Sequence, residues 1–235
     1  MSWLPTPVDI WLSRGLAGFL GHHPEFDVFV QDAIRHNVLG GLWFGAALFL
    51  CWVQAARKSR GDIELRVFTM LIASTLAILL GRIAGALISC SPPDRYPGLR
   101  GLYPDYLELN PNLSSFPSQS TTLYSIVAAG IYSLHKGYGW LLWILVAFGV
   151  ALPRMYVGGH FLSDVLAGLL VALTAYASAR GLLEARLTAR VGPFLERKPR
   201  LHTLTDCLIF VWILQVAVEF HDAVWLKNAV AALLH

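Results

Sequence analysis

Apolar residues fall in long blocks separated by short polar stretches. Blocks near 38–56, 67–89, 120–135, 137–153, 160–183 and 204–221 approach the ~17–25 residues a helix needs to cross a bilayer, allowing for tilt. They predict six transmembrane helices, the two middle ones short. Between the first two lies RKSRGDIELR, with Arg57, Lys58, Arg60 and Arg66. After the fifth come Arg180, Arg186, Arg190, Arg197, Lys198 and Arg200. Positive loops stay on the cytoplasmic side, so both are predicted there. From Val8 to Leu20, Ile10, Trp11, Leu12, Leu16, Phe19 and Leu20 form a short Trp-bearing amphipathic pattern suited to a membrane surface. The fold class expected is an all-α polytopic membrane bundle, one domain over 1–235, with an interfacial segment at 1–36.

This topology sends two polar segments to the same, non-cytoplasmic face. One runs from Ser89 to Ser120 and is rich in Pro, Gly, Asn and Ser, the composition of an ordered functional loop. It ends in FPSQSTTLYSIVAAG, where Ser118 or Ser120 is expected to cap the next helix and leave its first N–H groups for an anion. A phosphate fits such a place. The other, between Leu152 and His160, is a predicted turn.

Around that turn the chain reads PRMYVGGHFLSDVLAG, spacing Arg154, His160 and Asp164 by six and four. Charged groups at a membrane boundary are costly and are usually kept for chemistry. If a helix begins near His160, Asp164 shares its face and can fix the imidazole tautomer. That suits a histidine acting as nucleophile or base. Without its surroundings, the same pair could simply hold a helix start.

Composition agrees: 56% hydrophobic, 14% charged and a mean hydropathy of +0.56 describe an integral membrane protein. A net charge of +3 without a basic stripe gives no reason for a nucleic-acid partner. Cys51, Cys90 and Cys207 are odd in number and apolar in context, so they are expected to be packing residues. Pro5, Pro7 and Asp9 interrupt the start of the chain, which does not read as a secretory signal and is expected to be retained. The HHPEFD stretch from His22 to Asp27 invites a metal reading, but further ligands cannot be placed. His135 and Lys136 are expected to serve a cytoplasmic turn, and Trp140, Trp143, Trp212 and Trp225 to be interfacial or packing aromatics. Gly40, Gly41, Gly81 and Gly85 allow close helix packing, within the chain or with another.

The motifs together resemble the type 2 phosphatidic acid phosphatase superfamily of membrane lipid phosphatases and phosphotransferases. That family shows K-x6-R-P, then P-S-x-H, then S-R-x5-H-x3-D. The third block matches Arg154, His160 and Asp164, with Pro153 at the serine position; Tyr156, Gly159 and the run from Asp164 to Gly168 strengthen it. Pro117 and Ser118 match the second block, but Ser120 stands where the family has histidine. Arg82 can stand for the lysine of the first block, and Arg95 is the nearest substitute for its arginine. The resemblance covers 82–168 and extends to the six-span layout, which looks like that of bacterial members.

The resemblance implies a hydrolase or phosphotransferase on lipid phosphates, working from the periplasmic face of a bacterial inner membrane without metal or other cofactor. His160 would form a phosphohistidine, Asp164 would hold its ring, and Arg154 with Arg82 would neutralise phosphate oxygens. Ser118, Gln119, Ser120 and Arg95 would complete the phosphate cradle. Its partners would be a lipid phosphate or diphosphate and the surrounding lipids. The histidine missing at Ser120 is the family's general acid, worth a factor of about 10²–10⁴. Diphosphates, polyprenyl diphosphate among them, are therefore favoured, because they expel a phosphate monoester unaided. Alternatively Asp94, Asp105 or Glu108 supplies the proton, or the chain is an inactive relative that binds a lipid phosphate headgroup. Arg82 could instead pair with Asp94 and anchor a helix end, and Ser120 could be only a cap.

Overall fold

The computed structural model describes residues 4–38, 40–58, 60–107, 114–187 and 199–218. Glu108, Arg190, Arg197, Lys198 and Trp225 lie outside them. The long helices are α3 (Gly41–Lys58), α4 (Arg60–Leu87), α5 (Gln119–Leu134), α6 (Lys136–Leu145), α8 (Leu162–Leu187) and α9 (Pro199–Ala217). Each coincides with a predicted apolar block, and no β-strand occurs among the described residues. α6 runs on through a π-helical turn, Val146–Ala151, into α7 (Leu152–Tyr156), so Arg154 sits on a helix and not in the expected turn.

Three helical stretches are long and apolar enough to cross a membrane: Leu65–Leu87, Lys136–Tyr156 and Leu162–Gly181. Their outward residues, such as Leu80, Leu141, Phe148 and Leu170, are exposed, as expected of a membrane protein whose solvent there is lipid. The apolar parts of α3 and α9 (Gly41–Gln54 and Asp206–Val216) and the 16-residue α5 are shorter, so six crossings exceed what length and composition establish.

α5 is the axis. Ser120–Ala128, Gly130 and Ile131 are all buried, against α3, α4, α6 and α8. Tyr124 of α5 packs on Phe44 of α3, within a core that includes Met70, Ile126 and Val150. The packing glycines meet the same chain: Gly40 faces the Tyr124 ring, Gly81 faces Pro117, and Gly85 faces the Phe116 carbonyl. Cys51 and Cys90 are buried as expected, whereas Cys207 lies exposed on α9. Trp140 is likewise exposed, edge-on to Tyr132.

The two ends of the bundle differ. At one, the Arg66 guanidinium donates to the Ser133 hydroxyl (2.8 Å), itself paired with the Tyr176 hydroxyl (3.1 Å). Arg66 therefore belongs to α4 and ties its first turns to the last turn of α5. At the other end lie residues 88–107 and 114–118 and the α7–α8 connection, around a second apolar cluster of Leu20, Val30, Cys90, Leu99, Tyr103 and Phe161.

The N-terminal segment holds two helices where one was expected, α1 (Pro7–Ala17) and α2 (Pro24–Arg35). Both bury polar residues beside apolar ones such as Ala17 and Val30, and large apolar residues of the segment stay exposed. Asp9, Ser13, Asp27 and Gln31 are buried, while Trp11, Phe19, Phe26 and Phe29 are exposed. The α1 start is closed by a capping box between Thr6 and Asp9. α2 ends in a Schellman motif: Asn37, at φ 52°, donates to the Ile34 carbonyl, and Val38 donates to Ala33.

Candidate active site

His160 lies in the connection between α7 and α8. The preceding residues fold back tightly: Gly159 N–H donates to the Arg154 carbonyl (2.8 Å), and Gly158 takes φ +81°. A side chain at 158 would collide with the Tyr103 ring, so both backbone sign and space demand glycine there.

α8 begins at Leu162, two residues past His160, where the Asp164 carboxylate accepts the Phe161 N–H (2.8 Å) and Asp9 Oδ1, from α1, accepts the Ser163 N–H (2.9 Å). His160 is thereby left outside the helix, and the expected face-sharing pair is looser. Nδ1 lies 3.9 Å from Asp164 Oδ2 but only 2.8 Å from the Ser115 carbonyl. A carbonyl can only accept, so Nδ1 carries the proton and Nε2 of the neutral ring keeps its lone pair. Asp164 is fully buried, and its Oδ1 has no hydrogen-bond partner among the described residues.

The α5 start is tied to the α8 start. Ser118 N–H donates to the Asp164 carbonyl (3.1 Å), and the Thr122 hydroxyl reaches the carbonyls of both Ser118 (2.8 Å) and Gly168 (3.1 Å). Ser118 occupies the cap position, but its hydroxyl pairs with that of Thr121 (3.0 Å) and makes no cap hydrogen bond. Ser120 is buried within the first turn of α5, so neither serine caps as expected. At Gly168 an added Cβ would stand 2.6 Å from the Ser118 carbonyl oxygen, a backbone atom that cannot swing away. Gly168→Ala is expected to part the two helix starts and destabilise the protein by roughly 1–3 kcal/mol, read as a lowered thermal midpoint in detergent.

The cations are more dispersed than the motifs suggested. The Arg154 guanidinium is buried, donating to Asn37 Oδ1 (3.3 Å) and to the Val150 carbonyl (3.4 Å). Arg82 and Gln119 are exposed at the rim, where α4 packs on the turn before α5. Arg95 Nε lies 3.8 Å from Asp94 Oδ2, so Asp94 pairs with its neighbour and not with Arg82.

Of the alternative acids, Asp105 is exposed, whereas the backbone N–H of Asp94 donates to the Gly158 carbonyl (3.2 Å), two residues from His160. Burial raises the Asp94 carboxyl above the ordinary aspartate value, with Arg95 opposing, and its Oδ1 has no partner among the described residues. Burial also pushes the nearby Tyr103 hydroxyl up to about 12.

The HHPEFD stretch assembles differently from a metal site. His22 and His23 are exposed. Asp27 is committed to hydroxyls of Tyr156 and Tyr106 (2.7 Å for the latter) and to Gly21 N–H (2.8 Å). Burial alone would raise its carboxyl, but these donors outweigh burial and hold it below the usual range. Among the described residues, no three His, Cys, Asp or Glu side chains are grouped to hold a metal ion.

Sequence reasoning missed Ser115, Asp9 and Asn37. Ser115 acts through its carbonyl, which leaves no mark in the sequence. Asn37 had one local signal, an asparagine at the left-handed position just past a helix.

The family model of the PAP2 superfamily matches residues 65–185, just over half of the chain. The chain belongs to the PAP2 superfamily. Within 65–185 fall Arg82, the α5 start and the Arg154–His160–Asp164 block, so the PAP2 segment carries the whole of the expected motif set. The chain is 34% identical over 125 residues to the bacitracin transport permease protein BcrC of Bacillus licheniformis, covering 53% of this chain and 57% of that protein. It is 31% identical over 104 residues to the undecaprenyl-diphosphatase of Sulfolobus acidocaldarius, covering 44% and 48%. The chain thus spans about half the length of the curated relatives it matches. No solved structure matches.

Proposed function

We propose that this PAP2 protein is a lipid diphosphate phosphatase or phosphotransferase acting on a polyprenyl diphosphate through a phosphohistidine at His160. The observation that carries the reading is the imidazole: Nδ1 is occupied by the Ser115 carbonyl, which leaves Nε2 as the nucleophilic nitrogen. Nε2 attacks the terminal phosphorus, the bond to the bridging oxygen breaks, and a lipid monophosphate departs. Water, or a lipid acceptor, then attacks the phosphohistidine and releases Nε2.

The intermediate makes the ring cationic. Asp164, buried and 3.9 Å away, is placed to stabilise that charge, and such contacts commonly tighten once substrate is bound. Arg154, with Arg82 and Arg95 nearer the rim, supplies positive charge for the phosphate oxygens. Ser118, Gln119 and Ser120 form the helix start that receives them. Substrate chemistry follows from the relative named an undecaprenyl-diphosphatase and from Ser120 in place of an acid.

The site faces the periplasm of a bacterial inner membrane in this reading, with six crossings. Arg66, on α4 beside the last turn of α5, lies at the end opposite His160, which supports that orientation. Ser120 also favours a second reading, a non-catalytic relative that holds a lipid phosphate headgroup. Purified protein in detergent, offered lipid monophosphates and diphosphates with and without a lipid acceptor, separates the two. Release or transfer of phosphate from diphosphates is expected; binding without either supports the second reading.

A further inference from the structure

The PAP2 match begins at residue 65, yet three buried polar residues ahead of it reach the 154–163 segment. Asp9 accepts the Ser163 N–H, Asp27 accepts the Tyr156 hydroxyl, and Asn37 Oδ1 accepts from Arg154 Nη2. The three anchors fall on both sides of His160. The same carboxylate of Asp27 also holds Tyr106 of the long segment, so α2 joins both polar segments of the site.

We propose that the α1–α2 pair is a positioning device for the phosphate site, with Asn37 setting the direction of the Arg154 guanidinium. This inference rests on the function proposed above. A buried guanidinium carries five donors and must be held by acceptors. A carboxylate at residue 37 would hold it but neutralise its charge. The neutral amide oxygen holds it without adding a neutralising charge of its own. Asn37 is itself rigidly placed, because the Schellman motif fixes its backbone at φ 52° and it is buried. Asp9 acts in parallel: by capping Ser163 it helps start α8 at Leu162, which keeps His160 off the helix and on the Ser115 carbonyl.

Asn37→Gly separates positioning from folding, since glycine is the residue best suited to the left-handed position and removes only the amide. Asn37→Asp keeps the shape but places a carboxylate against Arg154. The full chain in detergent is compared with both variants, Arg154→Ala and His160→Ala, reading orthovanadate affinity, KM and kcat for farnesyl diphosphate, and the thermal midpoint. Asn37→Gly is expected to weaken vanadate binding and raise KM by about tenfold or more, beyond what any fall in the midpoint accounts for. Asn37→Asp is expected to weaken both further.

Wild-type affinity and KM in both Asn37 variants, with a clear loss in Arg154→Ala, would overturn this inference alone. So would losses that only follow a lowered midpoint and are no greater in Asn37→Asp. Unchanged turnover and vanadate binding in Arg154→Ala and His160→Ala would overturn the proposed function and this inference with it.

Discussion

His160→Ala is expected to lower phosphate release from a polyprenyl diphosphate by at least about 10⁴-fold, the scale of losing a covalent nucleophile. The folded state should tolerate the change. His160 lies in a connection, is partly exposed, and among the described residues makes one side-chain hydrogen bond, to the Ser115 carbonyl. The thermal midpoint is therefore expected to move little while turnover disappears, and vanadate binding is expected to fall with turnover. A variant retaining a substantial share of wild-type activity would remove His160 from the chemistry. Asp164→Asn is a poorer probe, because Asp164 also caps Phe161 and would disturb the α8 start.

The second large effect concerns the leaving group. Turnover of a lipid monophosphate is expected to be at least about 10²-fold slower than that of the corresponding diphosphate, because a departing alkoxide needs the proton that Ser120 cannot give. Asp94 is the carboxyl nearest this role, held by Gly158 on the His160 connection and raised by burial. If it donates, it must be protonated to do so. The monophosphate rate then falls as pH rises through its raised pKa, while the diphosphate rate loses less. Asp94→Asn is expected to abolish that pH dependence and to leave diphosphate turnover largely intact. Equal rates on both substrates in wild type would contradict the leaving-group argument, and an unaltered profile in Asp94→Asn would contradict the role of Asp94.

Long apolar blocks made the helices legible because lipid-facing helices need no period, only length. Thus α3, α4, α5, α6, α8 and α9 sit close to where the blocks placed them. α2 was not legible in the same way. Its buried face mixes Asp27 and Gln31 with Val30 and Ala33, while Phe26 and Phe29 are exposed, which blurs the pattern that marks a helix on a water-facing core. Arg154, His160 and Asp164 were legible from spacing, but their geometry depended on partners without a sequence signature. The Ser115 carbonyl takes the imidazole, the Asp9 carboxylate comes from 154 residues away to cap Ser163, and Asn37 takes the guanidinium. A two-residue shift in where α8 begins followed from those contacts and changed the histidine's partner. The difference between Asp94 and Asp105 likewise required the fold, since only packing sets Asp94 beside Gly158 and leaves Asp105 exposed.

The most direct measurement is a rapid-quench experiment with polyprenyl diphosphate labelled at the terminal phosphate. Labelled protein that is stable in base and labile in acid is expected, with the label on His160, forming and decaying at least as fast as the steady-state rate. Steady turnover with no phosphate on His160 at any time, or with the label on another residue, would contradict the phosphohistidine route.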